Sequence, residues 1–191
     1  MRIIAGSARG RTFEAPSGRS TRPTLDRVRE AVFGMIQFDV PGSRVLDLFA
    51  GSGGLGLEAL SRGAEKAVFC DCDKSVCALI SRNAERLGFS DRSMIICDDY
   101  RSAIRRLASK GERFSIVLLD PPYESGYYSA AVNELHDAGL LADGCIIIAE
   151  HSAKSPLELS LDGLTAGKPH RYGDVAVSKY EFRQNILPNK E

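Results

Sequence analysis

The sequence predicts an α/β protein with a doubly wound, mostly parallel sheet. Short apolar runs alternate with amphipathic stretches from residue 44 to residue 150, as β-α-β units require. A glycine-rich turn follows the first apolar run directly. A later run, Phe114-Ser-Ile-Val-Leu-Leu119, is apolar almost throughout, the pattern of a strand covered on both faces. With 191 residues, 43% hydrophobic and 26% charged, the chain is sized for one domain and a small appendage. The expected division is an extension over residues 1–40, a main domain over 41–185 and a frayed tail over 186–191.

In chain order, residues 2–5 and 11–14 are β-prone pieces around Gly6-Ser-Ala-Arg-Gly10, a hairpin with a basic tip. Residues 15–23 are rich in Pro, Ser, Gly and Arg and read as loop. Thr24 is expected to cap a helix in which Val28, Ala31, Val32, Met35 and Ile36 form one apolar face. Pro41-Gly42 ends this extension. Strands are then expected at 44–49, 66–71, 93–97, 114–119 and 144–150, and helices at 54–62, 74–87, 100–109 and 127–139. Leu164–Tyr172 and Val175–Phe182 flank Gly173-Asp174, a two-residue hairpin signal for antiparallel strands closing the sheet.

Composition limits function. No apolar run approaches the roughly 18 residues of a membrane span. The opening Met1-Arg-Ile-Ile-Ala-Gly does not read as a signal peptide, so the expectation is a cytoplasmic protein with no membrane partner. Cys70, Cys72, Cys77, Cys97 and Cys145 lack zinc-pair spacing and read as reduced, buried thiols with no metal. The formal net charge is zero, yet the first 30 residues hold seven arginines against three acids, and the first lysine is Lys66. An arginine-only segment suits phosphate contact, with a solvated face carrying local ion pairs as the alternative.

The candidate ligand site starts at Asp47. Gly51, Gly53 and Gly56 have G-x-G-x-x-G spacing, which brings backbone N–H groups and a helix N-terminus close to a ligand. Asp71 ends the next apolar run, where an acid can grip ribose hydroxyls. Asp47, inside a strand end that a nicotinamide site would keep apolar, suits an ammonium group such as the methionine end of S-adenosylmethionine; a dinucleotide is the alternative. Asp120-Pro-Pro-Tyr123 follows the most hydrophobic strand. An aspartate and a rigid proline carbonyl can accept hydrogen bonds from an exocyclic amine, and a tyrosine can stack on the ring that carries it. His151, beside Glu150, is a minor candidate for lining the pocket. A nicotinamide oxidoreductase would need a proton relay that the late histidines do not obviously supply. A non-enzymatic RNA-binding module would leave Asp47, Asp71 and Asp120 without a role.

Asp-x-Phe-x-Gly-x-Gly after the first strand, with Asp120-Pro-Pro-Tyr123 after the fourth, resembles class I S-adenosylmethionine methyltransferases acting on planar amino nitrogens. More narrowly, Arg2-Ile-Ile-Ala-Gly, Arg9-Gly-Arg11, Thr21–Phe33, Leu46–Gly63 and Asp120–Tyr123 together resemble the RsmD family of bacterial 16S rRNA guanine-N2 methyltransferases. The resemblance implies a seven-stranded Rossmann-like sheet with an N-terminal hairpin, S-adenosylmethionine as cofactor, and 16S rRNA in the small subunit or its assembly intermediate as partner. It assigns the cofactor to Asp47, Phe49, Ala50, Gly51, Ser52, Gly53, Asp71, Asp99, Tyr100, Thr24 and Arg29, with Asp98 the alternative to Asp99 at the adenine. It assigns the amine to Asp120, Pro121, Pro122 and Tyr123. Arg9, Arg11, Arg22 and Arg27 are the expected RNA contacts. A monomer is expected. The rival within the same chemistry is an amino-methyltransferase for adenine or cytosine in DNA or another RNA, against which the chain offers no room for a separate target-recognition domain.

Overall fold

Arg44–Asp47 (β1) lies near the middle of the sheet, flanked by two parallel strands, Lys66–Asp71 (β2) and Phe114–Leu119 (β4). The computed structural model describes residues 1–15, 23–121 and 126–184, with the backbone alone for 23–25. Ser93–Cys97 (β3) pairs outside β2, and Leu141–Ser152 (β5) outside β4. Val175–Phe182 (β8) pairs antiparallel with β5. Along the far edge of β8 lie two short strands, Leu164–Ala166 (β6) and His170–Tyr172 (β7).

The expected strand over 164–172 is therefore broken in two. Pro169 has no N–H for the ladder, while Gly167 still donates its own to the Lys179 carbonyl at 2.8 Å. Among the described residues, eight strands thus occupy seven positions, in the order β3-β2-β1-β4-β5-β8-β6 with β7 beside β8. Tyr172 pairs with Val175 across Gly173-Asp174, and Gly173 alone has a positive φ (67°), as the hairpin signal requires.

Helices cover both faces, because each strand alternates apolar side chains above and below. One face holds Pro23–Met35 (α1), Gly54–Ser61 (α2) and Lys74–Leu87 (α3), packed with Phe69, Leu118 and Ile148. The other holds Tyr100–Ala108 (α4) and Tyr127–Asp137 (α5), packed with Leu46, Val68, Val117 and Ile147. The chain runs outward from β1 to β3 and then returns to β4 on β1's other side. That reversal opens a crevice at the carboxyl ends of β1 and β4.

Several boundaries differ from expectation. β1 stops at Asp47, not residue 49, because Leu48 and Phe49 already enter the turn. β5 starts at Leu141, which pairs with Phe114 ahead of a register shift. α1 opens on Pro23, so Thr24 falls inside the first turn and is not the cap; a proline at the first helical position has no N–H to leave unpaired. The N-terminal hairpin has a single bridge, Arg2 to Thr12, in place of two strands. Its middle bonds elsewhere: Ile4 and Ala5 donate their N–H groups to the buried carboxylate of Glu58 on α2, at 2.8 and 3.0 Å. Cys70, Cys77 and Cys145 are buried as expected, but Cys72 and Cys97 are exposed beyond the strand core.

Candidate active site

The turn after β1 is built on Gly51 (φ 52°) and Gly53 (φ 75°), conformations that favour glycine. Two acids from neighbouring strands hold it. Asp71 Oδ2 accepts the Gly51 N–H at 3.0 Å, and Asp47 Oδ2 accepts the Gly56 N–H at 3.0 Å. Gly53 offers α2 no side-chain cap, so Asp47 satisfies one of the helix's unpaired N–H groups from outside. Burial pushes the Asp47 carboxyl up to about 7, with the Asp71 charge adding and the Gly56 bond opposing. A ligand cation beside Asp47 would restore its ionised form.

Arg29 reaches the same helix end from α1. Its Nη1 and the Ser52 Oγ both lie 3.2 Å from where a Cβ on Gly54 would stand. Nη2 donates to the Arg2 carbonyl (2.6 Å) and to Asp26 (3.0 Å), while Nε is buried with no hydrogen-bond partner. Desolvation lowers the guanidinium's pKa, offset by Glu58 and Asp26. The Arg29 Nη1 beside Gly54 at a helix N-terminus fits a ligand carboxylate. Together with Asp47, the donor set fits an amino acid end: a carboxylate at Arg29 and α2, an ammonium at Asp47.

Asp71 also accepts the Asp73 N–H at 2.9 Å and remains half-exposed. Past β3, Asp99 caps α4, its carboxylate taking the Arg101 and Ser102 N–H groups; the Ser102 hydroxyl first, and then these N–H groups, lower its pKa. Asp98 is exposed and accepts the Asp99 N–H at 2.9 Å. The two acids that the sequence left undecided therefore differ: one is committed to a helix end, and its neighbour faces outward. Tyr100 is buried, its hydroxyl directed at Glu134. Phe49 packs against Tyr100 (5.5 Å between ring centres) and stacks nearly parallel on Tyr127 (6.0 Å, 10°). Tyr127 was not singled out in the sequence; its place on the first turn of a helix, four residues past Tyr123, was the available signal.

The register places Asp120 beside this loop. Asp47 aligns with Phe69 on β2 and Leu118 on β4, and Leu118 with Ile148 on β5. Two residues further along each strand come Asp71, Asp120 and Glu150, all on the face of Phe69, Leu118 and Ile148. Asp47 lies one step below that row. Asp120 is half-buried and Pro121 buried; Pro122, Tyr123 and Arg22 lie outside the described residues. Glu150 is a residue that the sequence reading passed over in favour of His151. His151 is buried and held by the Ser152 carbonyl (3.0 Å) and the Ser178 hydroxyl (2.9 Å).

Of the expected RNA contacts, Arg9, Arg11 and Arg27 are exposed. The Arg11 guanidinium also donates to the carbonyls of Arg86 and, at 2.9 Å, Leu87, closing the end of α3. Thr24 lies on the first turn of α1.

Comparison with known proteins agrees with this geometry. The family described as conserved hypothetical protein 95 matches residues 1–181. The Bacillus subtilis protein YlbH is 37% identical over 183 residues, 96% of this chain and all of its own. The Escherichia coli K12 protein named ribosomal RNA small subunit methyltransferase D is 35% identical over 181 residues, 95% of this chain and 89% of its own. The solved structure of Escherichia coli YhhF superposes with a TM-score of 0.84 at 30% identity, covering 96% of this chain and 98% of that one. The sheet order, the glycine turn and these matches over nearly the full length lead to one assignment: the chain belongs to the RsmD family and has its class I methyltransferase fold.

Proposed function

We propose that this protein transfers a methyl group from S-adenosylmethionine to the exocyclic N2 of a guanine in 16S rRNA, on the small ribosomal subunit or its assembly intermediate. The observation that carries the reading is the row of Asp71, Asp120 and Glu150 one step above Asp47, at the carboxyl edge where β1 and β4 part. The curated relatives' name, ribosomal RNA small subunit methyltransferase D, supports the substrate.

When bound, S-adenosylmethionine supplies an electrophilic methyl group on a sulfonium. Arg29 and the start of α2 hold its carboxylate, Asp47 its ammonium, and Asp71 its ribose. Asp98 and the Asp99–Tyr100 segment meet the adenine, with Phe49 against its ring. The harder task is the nucleophile, because a guanine amine shares its lone pair with the ring. Asp120 and the Pro121 carbonyl accept the two amine hydrogens, which favours a pyramidal nitrogen and aims its lone pair at the methyl. Transfer would exchange the sulfonium's S–CH3 bond for the N–CH3 bond and leave the thioether S-adenosylhomocysteine, while Asp120 would take the amine proton, then acidic, and pass it to solvent. Most of the acceleration is alignment and fixed charge. The base must leave its stack to enter, and Tyr123 is the surface for it to stack on. Residues 1–40 cover the cofactor's methionine end and present Arg9 and Arg27 to phosphates. The enzyme acts as a monomer in the cytoplasm.

The test is mass spectrometry of nucleosides from small subunits, free 16S rRNA and duplex DNA after incubation with enzyme and cofactor. N2-methylguanosine from the ribosomal substrates is expected. Methylated adenosine or cytidine, or methylation confined to DNA, would overturn the reading.

A further inference from the structure

Resting on the guanine-N2 reading, we infer that Glu150 determines base specificity by accepting the N1–H of the target guanine beside Asp120. Leu119 of β4 pairs with Ala149 of β5, so the next step of that register sets Asp120 against Glu150. Both belong to the sheet face that carries Leu118 and Ile148. Neighbouring strands lie about 4.8 Å apart, which brings two acceptors to adjoining points of one cleft. Guanine alone among the amino-bearing bases presents two neighbouring kinds of donor on that edge, N1–H and N2–H. Adenine N1 and cytosine N3 present a lone pair next to the amine. A carboxylate there makes a charge-assisted bond to guanine and repels the other two.

Glu150 is held for such a task. It is 8% exposed, so its charge acts in a medium that screens little. Its carbonyl accepts the Tyr128 hydroxyl at 2.6 Å, and its backbone pairs with Val177 on β8. Next along the chain, His151 is fixed by Ser178 and by the Ser152 carbonyl. The Tyr128 hydroxyl has its pKa raised by burial first and then by the charges of Asp120 and Glu150, so both acids stand near one point. Asp120 takes the amine that is methylated, and Glu150 reads the ring nitrogen beside it. This division also explains why the sheet keeps a buried acid on an otherwise aliphatic strand face.

The test uses small subunits reconstituted on 16S rRNA that carries guanosine or 2-aminopurine riboside at the methylated position. 2-Aminopurine keeps the amine at the same carbon but has a lone pair at N1. Wild-type enzyme is expected to prefer guanosine by at least about 30-fold, and equal rates would overturn the inference outright. Glu150→Gln is expected to lower kcat/KM for guanosine by about 10- to 100-fold. It also narrows the guanosine to 2-aminopurine ratio at least about tenfold, because the amide can donate to N1. Calorimetric titration with S-adenosylhomocysteine checks that the variant is folded, and Glu150→Asp should keep the preference at a reduced rate. Absence of N2-methylguanosine with the wild-type enzyme overturns the parent reading and this one with it. Normal methylation by wild type with an unchanged ratio in Glu150→Gln overturns the role of Glu150 alone.

Discussion

The Asp47 carboxylate accepts the Gly56 N–H at 3.0 Å, linking the end of β1 to the first turn of α2 with both residues buried. One acid thereby serves as external cap to a helix and, in the proposed function, as counter-charge for a ligand. Its carboxyl stands at about 7 in the protein against an ordinary value of 3.8, raised chiefly by burial. A raised carboxyl favours the folded state in its protonated form. That contribution is complete below about pH 4 and is lost as pH rises through about 7. Wild-type Tm should therefore fall relative to Asp47→Asn between pH 5 and 8 in thermal melts. Cofactor affinity should behave oppositely, weakening by up to about tenfold per unit below pH 7 in wild type and staying flat in Asp47→Asn, by calorimetry.

Asp120→Ala should lower kcat by about 10²- to 10⁴-fold while leaving S-adenosylhomocysteine affinity within a few-fold. In the proposed site the cofactor contacts come from β1, β2 and the segment after β3, whereas Asp120 extends β4. Single-turnover rates and a binding titration separate the two effects. A matching loss in both would remove Asp120 from the amine.

Gly56→Ala should destabilise the protein by about 1–3 kcal/mol. A Cβ there would stand 2.3 Å from Phe69 Cε1 in the core. Alanine would otherwise gain about 1 kcal/mol in helix propensity, so a net loss in denaturant midpoint isolates the clash. Phe69→Leu should recover part of it in the double variant.

Glu58→Ala should cost about 3–5 kcal/mol. The Glu58 side chain is fully buried, yet it accepts Ile4 N–H, Ala5 N–H and, at 2.7 Å, Arg62 Nε, with Arg29 Nε at 3.9 Å. Its removal strands two backbone donors and two guanidinium groups. Limited proteolysis should then cut within the first 15 residues before the sheet unfolds.

Arg9→Ala and Arg27→Ala should weaken RNA binding evenly across sequences and reduce the salt slope by about one each. Arg11→Ala should instead lower Tm, because it removes the donor to the Arg86 and Leu87 carbonyls. Filter binding at several salt concentrations, alongside melts, distinguishes the two kinds of arginine.

The strands were legible because their periodicity is physical: Phe114–Leu119 and Lys66–Asp71 lie as expected, each covered on both faces. The site's acids were legible where they broke an apolar run, as Asp47 and Asp71 do. Glu150 was not, since one acid at a strand end reads as surface until the register sets it beside Asp120. Arg11 and Arg9 are indistinguishable in sequence; only the end of α3, some 75 residues on, separates them. The break at Gly167-Lys-Pro169 needed only the rule that proline cannot donate, but the hairpin signal beside it dominated.

The N-terminal hairpin is synthesised before the partners on which it docks. Its partners are Glu58 and Ser61 on α2 and Asn83 on α3, at separations of 53 to 69 residues. During synthesis that segment stays undocked until α2 and α3 have emerged. Its attachment thus follows the laying down of β1 and β2: the segment is set in place only after the strands that carry Asp47 and Asp71 exist.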